Sequence, residues 1–97
     1  MDVKIHSAVD IDAKFKEYIE EKFSRLSKFI FDKGQTEIYI RKEGPLFLTE
    51  IKVVVKNSTI FIKEEDNDIN KSIEVLYDRA KSQLRKLHDK ITDKPHN

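Results

Sequence analysis

The sequence contains no cysteine, only two glycines and only two prolines among its 97 residues. The absence of cysteine excludes a disulfide framework, a thiol nucleophile and a cysteine-ligated metal. Two isolated glycines cannot form a glycine-rich phosphate loop. No apolar run approaches the ~20 residues that span a bilayer, and Met1–His6 lacks the pattern of a signal peptide. These absences predict a soluble cytoplasmic protein without a cofactor or a membrane contact.

Patterns for catalysis and metal binding are also missing. The three histidines are far apart in the sequence and belong to no nucleophile motif; they are His6, His88 and His96. A series beginning at Asp66 resembles a calcium loop, but such a loop needs glycine at the position of Lys71 and an acid at that of Tyr77. We therefore predict no catalytic residue, no metal site and no enzymatic activity.

Apolar periodicity predicts four strands and two helices. The predicted strands are Val3–Ser7, Thr36–Lys42, Leu46–Lys56 and Thr59–Lys63. The first helix is expected to begin after the N-cap Asp12 and to run to about Phe31, with Gly34 as a stop signal. The last helix is expected over Ile69–Ile91, and Gly44-Pro45 marks a turn.

The predicted order, β-α-β-β-β-α, indicates an α+β fold with a four-stranded mixed sheet. A helix between the first two strands implies a parallel pair with a right-handed crossover, whereas the last three strands form a meander. Each helix has one apolar stripe, so we expect both to pack on one face of the sheet. In the first helix this stripe consists of Phe15, Ile19, Phe23, Leu26 and Ile30. We expect a single domain over residues 1–91 and a loose tail over residues 92–97.

Charge is sorted along the last helix, although the chain is nearly neutral with 19 basic and 18 acidic residues. Six acids and one base lie from Glu64 to Asp78, whereas five bases and one acid lie from Arg79 to Ile91. Acids before a helix N-terminus cap the helix and favour its dipole. The basic half is typical of a surface that faces a polyanion, and an ordinary solvated face is an equally good interpretation.

Basic residues flank the apolar stripes of both helices. In the first helix they are Lys14, Lys22, Arg25 and Lys28. In the last helix they are Arg79, Lys86 and Lys90 on one flank and Lys81, Arg85 and His88 on the other. If the helices pack side by side, one basic flank of each borders a shared groove, and such a line of cations suits a phosphate backbone. Tyr18 and Tyr77 are candidates for base stacking, but the position of Tyr77 beside the apolar stripe favours core packing.

Three short runs carry a family resemblance. They are Val9-Asp10-Ile11, Lys22-Phe23-Ser24-Arg25-Leu26-Ser27-Lys28-Phe29 and Gln83-Leu84-Arg85-Lys86. In order and spacing they resemble the short ribosome hibernation-promoting factors, also called ribosome-associated inhibitors. The likeness extends from Val3 to Ile91. The sequence departs from the family pattern at Asn70, Ser82 and Leu87.

This resemblance implies a fold similar to double-stranded RNA-binding domains. It also implies that the chain binds the small ribosomal subunit and its ribosomal RNA, in the channel for messenger and transfer RNA. Such a protein inhibits translation during stress or slow growth and has no small-molecule substrate. By motif, with Arg85 added from the charge pattern, the predicted RNA-binding residues are Lys22, Arg25, Lys28, Arg79, Arg85, Lys86 and Lys90.

An alternative interpretation is a non-enzymatic protein-interaction module. Its partner would meet the open sheet face or pair with an edge strand. A weak homodimer through the sheet face belongs to this interpretation. Exposed apolar residues on that face would favour it, and the candidates are Phe47, Leu48, Val54 and Phe61.

Overall fold

The computed structural model describes residues 2–30, 35–55 and 58–92, with side chains described up to residue 89. Its elements are β1 (Asp2–Ser7), α1 (Ala13–Ser24), a 3-10 helix (Arg25–Phe29), β2 (Gln35–Glu43), β3 (Leu46–Val55), β4 (Ser58–Asp66) and α2 (Ile69–Thr92). This order confirms the predicted α+β fold. The predicted stop at Gly34, the end of the third strand at Lys56 and residues 93–97 of the predicted tail lie outside the described residues.

The sheet has the strand order β1-β2-β3-β4. β1 and β2 are parallel, and the other neighbours are antiparallel, as the meander predicts. A row of isoleucines crosses all four strands in register; its members are Ile5, Ile38, Ile51 and Ile62. Because side chains alternate along a strand, this register places one apolar face under the helices and leaves the other face open.

Both helices cover the same face of the sheet. α1 lies over β1, and α2 lies over β3 and β4. Between the helices, the rings of Phe23 and Tyr77 meet edge to face with their centres 5.3 Å apart. Tyr77 is only 9% exposed, which confirms that it packs in the core. None of the described helices is long and apolar enough to cross a membrane.

The first helix is shorter than its periodicity predicts. The α-helix ends at Ser24, where the Ser24 hydroxyl donates to the Glu21 carbonyl over 2.7 Å. The chain then tightens into the 3-10 helix, which keeps Leu26 fully buried, and becomes extended at Ile30. The expected α-helix to about Phe31 was therefore wrong in its last turns, because a 3-10 segment buries the same apolar residue with a tighter coil. Phe31 itself lies outside the described residues.

The fourth strand is longer than predicted. It continues through Glu64 and Glu65 to Asp66, opposite Phe47–Thr49 of β3. Acidic residues are depleted in strands, but backbone pairing with β3 outweighs that preference here. Three acids that the sequence pattern places before the last helix therefore belong to the sheet.

A pair of hydroxyl groups joins β3 to α2 inside the protein. Thr49 Oγ1 and Ser72 Oγ lie 2.6 Å apart, and both residues are buried. Each hydroxyl is the hydrogen-bond partner of the other, as buried polar groups require. The contact ties the first turn of α2 to the middle of the sheet.

Candidate RNA-binding surface

Acidic side chains cap both helices at their N-termini. Asp12 accepts a 2.7 Å hydrogen bond from the Phe15 backbone, and Asp68 accepts one of 2.9 Å from the Asn70 backbone. Asp66 in turn accepts a 2.9 Å bond from the Asp68 backbone. These bonds satisfy N–H groups that have no partner within a helix, and the carboxylates complement the helix dipoles. The interpretation of Asp66 and Asp68 as capping residues, rather than as a calcium loop, fits this geometry.

The two helices run in the same direction, side by side. Three contacts, taken in order along both helical segments, establish this direction: Tyr18 with Glu74, Phe23 with Tyr77, and Phe29 with His88. The 3-10 helix therefore lies beside the last third of α2. α2 is basic towards its C-terminal end, and Arg25 and Lys28 lie in the 3-10 helix that follows α1. The parallel arrangement therefore brings these two groups of cations together.

Lys22 is bound within the layer of helices. Its ammonium lies 2.8 Å from the Glu74 carboxylate and 4.5 Å from the centre of the Tyr77 ring. The Tyr18 hydroxyl donates to the same carboxylate. Hydrogen bonds from Lys22 and then from Tyr18 lower the pKa of Glu74, and the bond to Glu74 raises the pKa of Tyr18. This cluster joins α1 to α2 through charge-assisted hydrogen bonds.

Arg79 is bound on the other side of α2. Its guanidinium donates to the Glu64 carboxylate and, over 2.9 Å, to the Lys63 carbonyl in β4. Glu64 is within reach of Arg79 because β4 continues past Lys63 and the Glu64 side chain lies on the helix-covered face of the sheet. Arg79 thus ties α2 to the edge strand.

The remaining predicted cations are less constrained. Arg25 is 4.0 Å from Glu21, and both side chains are well exposed. The Lys28 ammonium lies 5.2 Å from the centre of the Phe29 ring, a cation–π contact that leaves its charge unneutralised. Among the described residues, neither Arg85 nor Lys86 forms an ion pair. The side chain of Lys90 lies outside the described part of the chain.

The predicted set is divided between two flanks of α2. Glu74 and His88 contact the first helix, and Arg85 shares their flank at 100° per residue. Arg79 reaches β4, and Lys86, seven residues later, lies on that same outer flank. Arg85 therefore lies on the flank of α2 that faces α1 and the 3-10 helix, which carries Arg25 and Lys28, whereas Arg79 and Lys86 lie on the other flank.

Two carboxylates are the functional candidates that sequence reasoning missed. Glu74 neutralises Lys22, and Glu64 neutralises Arg79. A helical wheel places Glu74 on the flank of Lys81, but it does not say which flank faces the first helix. The role of Glu64 was missed because this residue was assigned to the segment before the last helix rather than to a strand.

Leu87, a departure from the family pattern, packs against the core, which accounts for its apolar character.

The open face of the sheet carries both signs of charge. Lys63 lies 3.4 Å from Glu50, and His6 lies 3.2 Å from Glu37 and stacks on Tyr39. The bond from His6 lowers the pKa of Glu37, and burial is the main cause that raises the pKa of Tyr39. A depression of about 950 Å³ lies on this face. Its alternating charges make it a poor match for a polyanion.

Of the four apolar residues expected on the open face, Phe47 is the one that does not lie there. Phe61 is 59% exposed there, and Leu48 and Val54 are half-buried. Phe47, however, shares the parity of the buried Thr49, so its side chain belongs to the helix-covered face. Its assignment to the open face was therefore wrong.

Among the described residues, no three His, Asp or Glu side chains group closely enough to hold a metal ion.

An open mixed sheet with two parallel helices on one face defines a class of small α+β domains. The family model described as sigma 54 modulation protein / S30EA ribosomal protein matches residues 3–92, and the chain belongs to this family. Membership confirms the predicted resemblance to ribosome hibernation-promoting factors and makes the chain a ribosome-associated modulation protein.

Two solved structures share the fold. The N-terminal domain of Protein Y from Thermus thermophilus is 22% identical, with a TM-score of 0.81 over 90% of this chain and 99% of that one. A ribosomal subunit interface protein from Coxiella burnetii is 23% identical, with a TM-score of 0.76 over 90% of this chain and 97% of that one. No curated protein sequence matches the chain.

Proposed function

We propose that this protein binds the small ribosomal subunit in the cytoplasm, within the channel for messenger and transfer RNA. It inhibits translation there during stress or slow growth. The ribosomal RNA contacts are made by the basic ends of α1, the 3-10 helix and α2. The protein acts by occupying space and performs no chemical reaction.

The single observation that carries this proposal is the parallel alignment of the two helices. Phe23 meets Tyr77 and Phe29 meets His88, so the cations of the 3-10 helix lie beside those in the C-terminal half of α2 rather than at the opposite end. Grouped cations produce a local positive potential although the net charge of the chain is only +1. A phosphate backbone responds to such a local potential and not to net charge.

Cosedimentation with purified small subunits across a salt series tests the proposal. We expect binding that weakens as salt rises, because each phosphate contact releases counterions and contributes a slope of roughly −0.7 to −0.9 in log K against log salt. Absence of binding, or binding that does not change with salt, would contradict an electrostatic contact.

A pair of matched charge reversals locates the contact surface. We expect R85E/K86E to weaken binding to the small subunit by roughly tenfold or more, because two phosphate contacts become repulsive. The control is K4E/K52E, which changes the net charge equally on the open sheet face. Thermal unfolding verifies that both variants are folded. Equal loss of binding in both variants would show that only net charge matters.

Competition for the channel tests the steric mechanism separately. We expect the protein to be displaced from small subunits by messenger RNA together with transfer RNA, since they would occupy the same space. Simultaneous binding of all three would place the protein elsewhere on the subunit.

A weak homodimer through the open sheet face is a second proposal, which Phe61 favours. Its ring is 59% exposed and stands beside Lys52, whose ammonium lies 5.9 Å from the ring centre. Analytical ultracentrifugation of the wild type and of F61K measures this association. We expect concentration-dependent dimers of the wild type only; monomers of both at high concentration would rule the dimer out.

A further inference from the structure

Lys22 is less accessible than the carboxylate that binds it. The Lys22 side chain is 15% exposed, whereas that of Glu74 is 46% exposed. The ammonium is also covered by the Tyr77 ring. A phosphate that approaches Lys22 from solvent therefore meets the negative charge of Glu74 first, which repels it.

Arg79 stands in a similar arrangement on the opposite flank of α2. Its guanidinium donates to the carboxylate of Glu64 and to the Lys63 carbonyl. Carboxylate and phosphate oxygens bind a guanidinium through the same donors. Glu64 therefore occupies a position on Arg79 that an RNA phosphate would otherwise take.

The cations nearer the C-terminal end of α2 differ in this respect. Arg85 and Lys86 have no carboxylate partner among the described residues. The surface thus contains two kinds of cation: those without a carboxylate partner among the described residues, and those, such as Lys22 and Arg79, that become available only when a carboxylate leaves. Along α2, Glu74, which binds Lys22 of α1, and the neutralised Arg79 both precede Arg85 and Lys86.

We propose that Glu74 and Glu64 are specificity-determining residues that compete with RNA phosphates for Lys22 and Arg79. The inference rests on the proposed function. RNA whose phosphates reach only the cations that have no carboxylate partner binds weakly. A subunit surface whose phosphates match all the cations displaces both carboxylates and gains two further contacts.

Displacement of Glu74 is feasible because the released carboxylate remains solvated. Glu74 is nearly half exposed and can rotate into water without becoming a buried unpaired charge. Lys22 keeps its contact with the Tyr77 ring after Glu74 leaves, so the ammonium stays in place for the phosphate. Glu64 is 22% exposed and Arg79 is 48% exposed, so the second pair also lies at the surface of the protein.

Charge-removing substitutions test the competition directly. E74Q and E64Q are each compared with E50Q, which removes the carboxylate from the Lys63 pair on the open sheet face. For an RNA duplex unrelated to the ribosome, we expect E74Q and E64Q to bind about fivefold more tightly at most, since ~1 kcal/mol is the upper worth of such a pair. The salt slope steepens by roughly 0.7–0.9 for each cation that gains a phosphate. E50Q has the same net charge and is expected to leave the slope unchanged.

The same variants are measured on small subunits. Absence of wild-type binding would overturn the proposed function itself. Wild-type binding with E74Q and E64Q no tighter than E50Q would overturn only the role of the two carboxylates.

A second measurement does not depend on any substitution. Carboxyl carbon NMR follows the titration of Glu74 in the free protein and in the RNA complex. We expect the pKa of Glu74 to rise on binding, because Lys22 turns to a phosphate and the carboxylate loses its cation. An unchanged titration would show that the Lys22–Glu74 pair persists in the complex and that Glu74 does not compete.

Discussion

The open face of the sheet and the layer of helices are both highly charged, yet they arrange their charge in opposite ways. On the open face, cations lie opposite acids in register, as in the pairs of Glu50 with Lys63 and of Glu37 with Lys52. In the layer of helices, α2 carries its cations mainly in its C-terminal half, beside Arg25 and Lys28 of the 3-10 helix. Alternation cancels the field within a few ångströms, whereas segregation extends it towards a partner. Arrangement, rather than composition, therefore decides which face can attract RNA.

The largest expected effect comes from breaking the alignment of the helices. Phe23 is fully buried against Tyr77, and F23A should lower the free energy of unfolding by about 3–5 kcal/mol, because the cavity adds to the lost burial. Urea denaturation measures the loss. As a control, Y39A removes a ring that is 37% exposed on the open face and should cost much less. Equal losses would mean that the helices are held by other contacts.

Single cations on the two faces give an intermediate effect that sharpens the comparison. K28A should weaken binding to small subunits about threefold to fivefold and reduce the salt slope by roughly 0.7–0.9, because one phosphate contact is lost. K63A removes a cation that already pairs with Glu50 and should change neither quantity. The two variants have the same net charge, so a similar loss for K63A would extend the RNA contact to the open face.

The smallest effect is a difference in acid stability. The folded protein lowers the pKa of Glu74 below its ordinary value of 4.5, chiefly through the hydrogen bond from Lys22. The pair therefore stabilises the fold above pH 4.5, and that contribution is lost as the pH falls through the lowered pKa. E74Q should lose less stability than the wild type on acidification. Unfolding curves at several acidic pH values measure this, and parallel curves would indicate that the pair adds nothing to stability.

The architecture was predictable because apolar residues report burial directly. Ile38, Ile51 and Phe23 stand at strand or helix spacing, and all are buried. The end of α1 was not predictable in the same way, since Leu26 suits the stripe of an α-helix and the core side of a 3-10 helix equally well.

The candidate surface was predictable only in part. The basic character of Arg85 and Lys86 is visible in the sequence, but the partners of Lys22 and Arg79 are not. Glu74 is 52 residues from Lys22, and only the side-by-side docking of the helices brings them within 2.8 Å. Long-range ion pairs of this kind depend on which flanks face each other, a property of packing rather than of periodicity.

The buried hydroxyl pair of Thr49 and Ser72 has a consequence for the surface above it. A helix packed only by apolar contacts can slip by a turn, about 5.4 Å, and exchange one set of contacts for another. Slippage here would separate the two buried hydroxyls, and a buried hydroxyl left without a partner costs about 1–3 kcal/mol. Ser72 therefore fixes the position of α2 relative to the sheet. The cations Arg79 and Lys86, which lie about 10 Å apart along the helix axis, are held at fixed positions as a result. A surface that recognises phosphates by their positions needs cations whose spacing is fixed in this way.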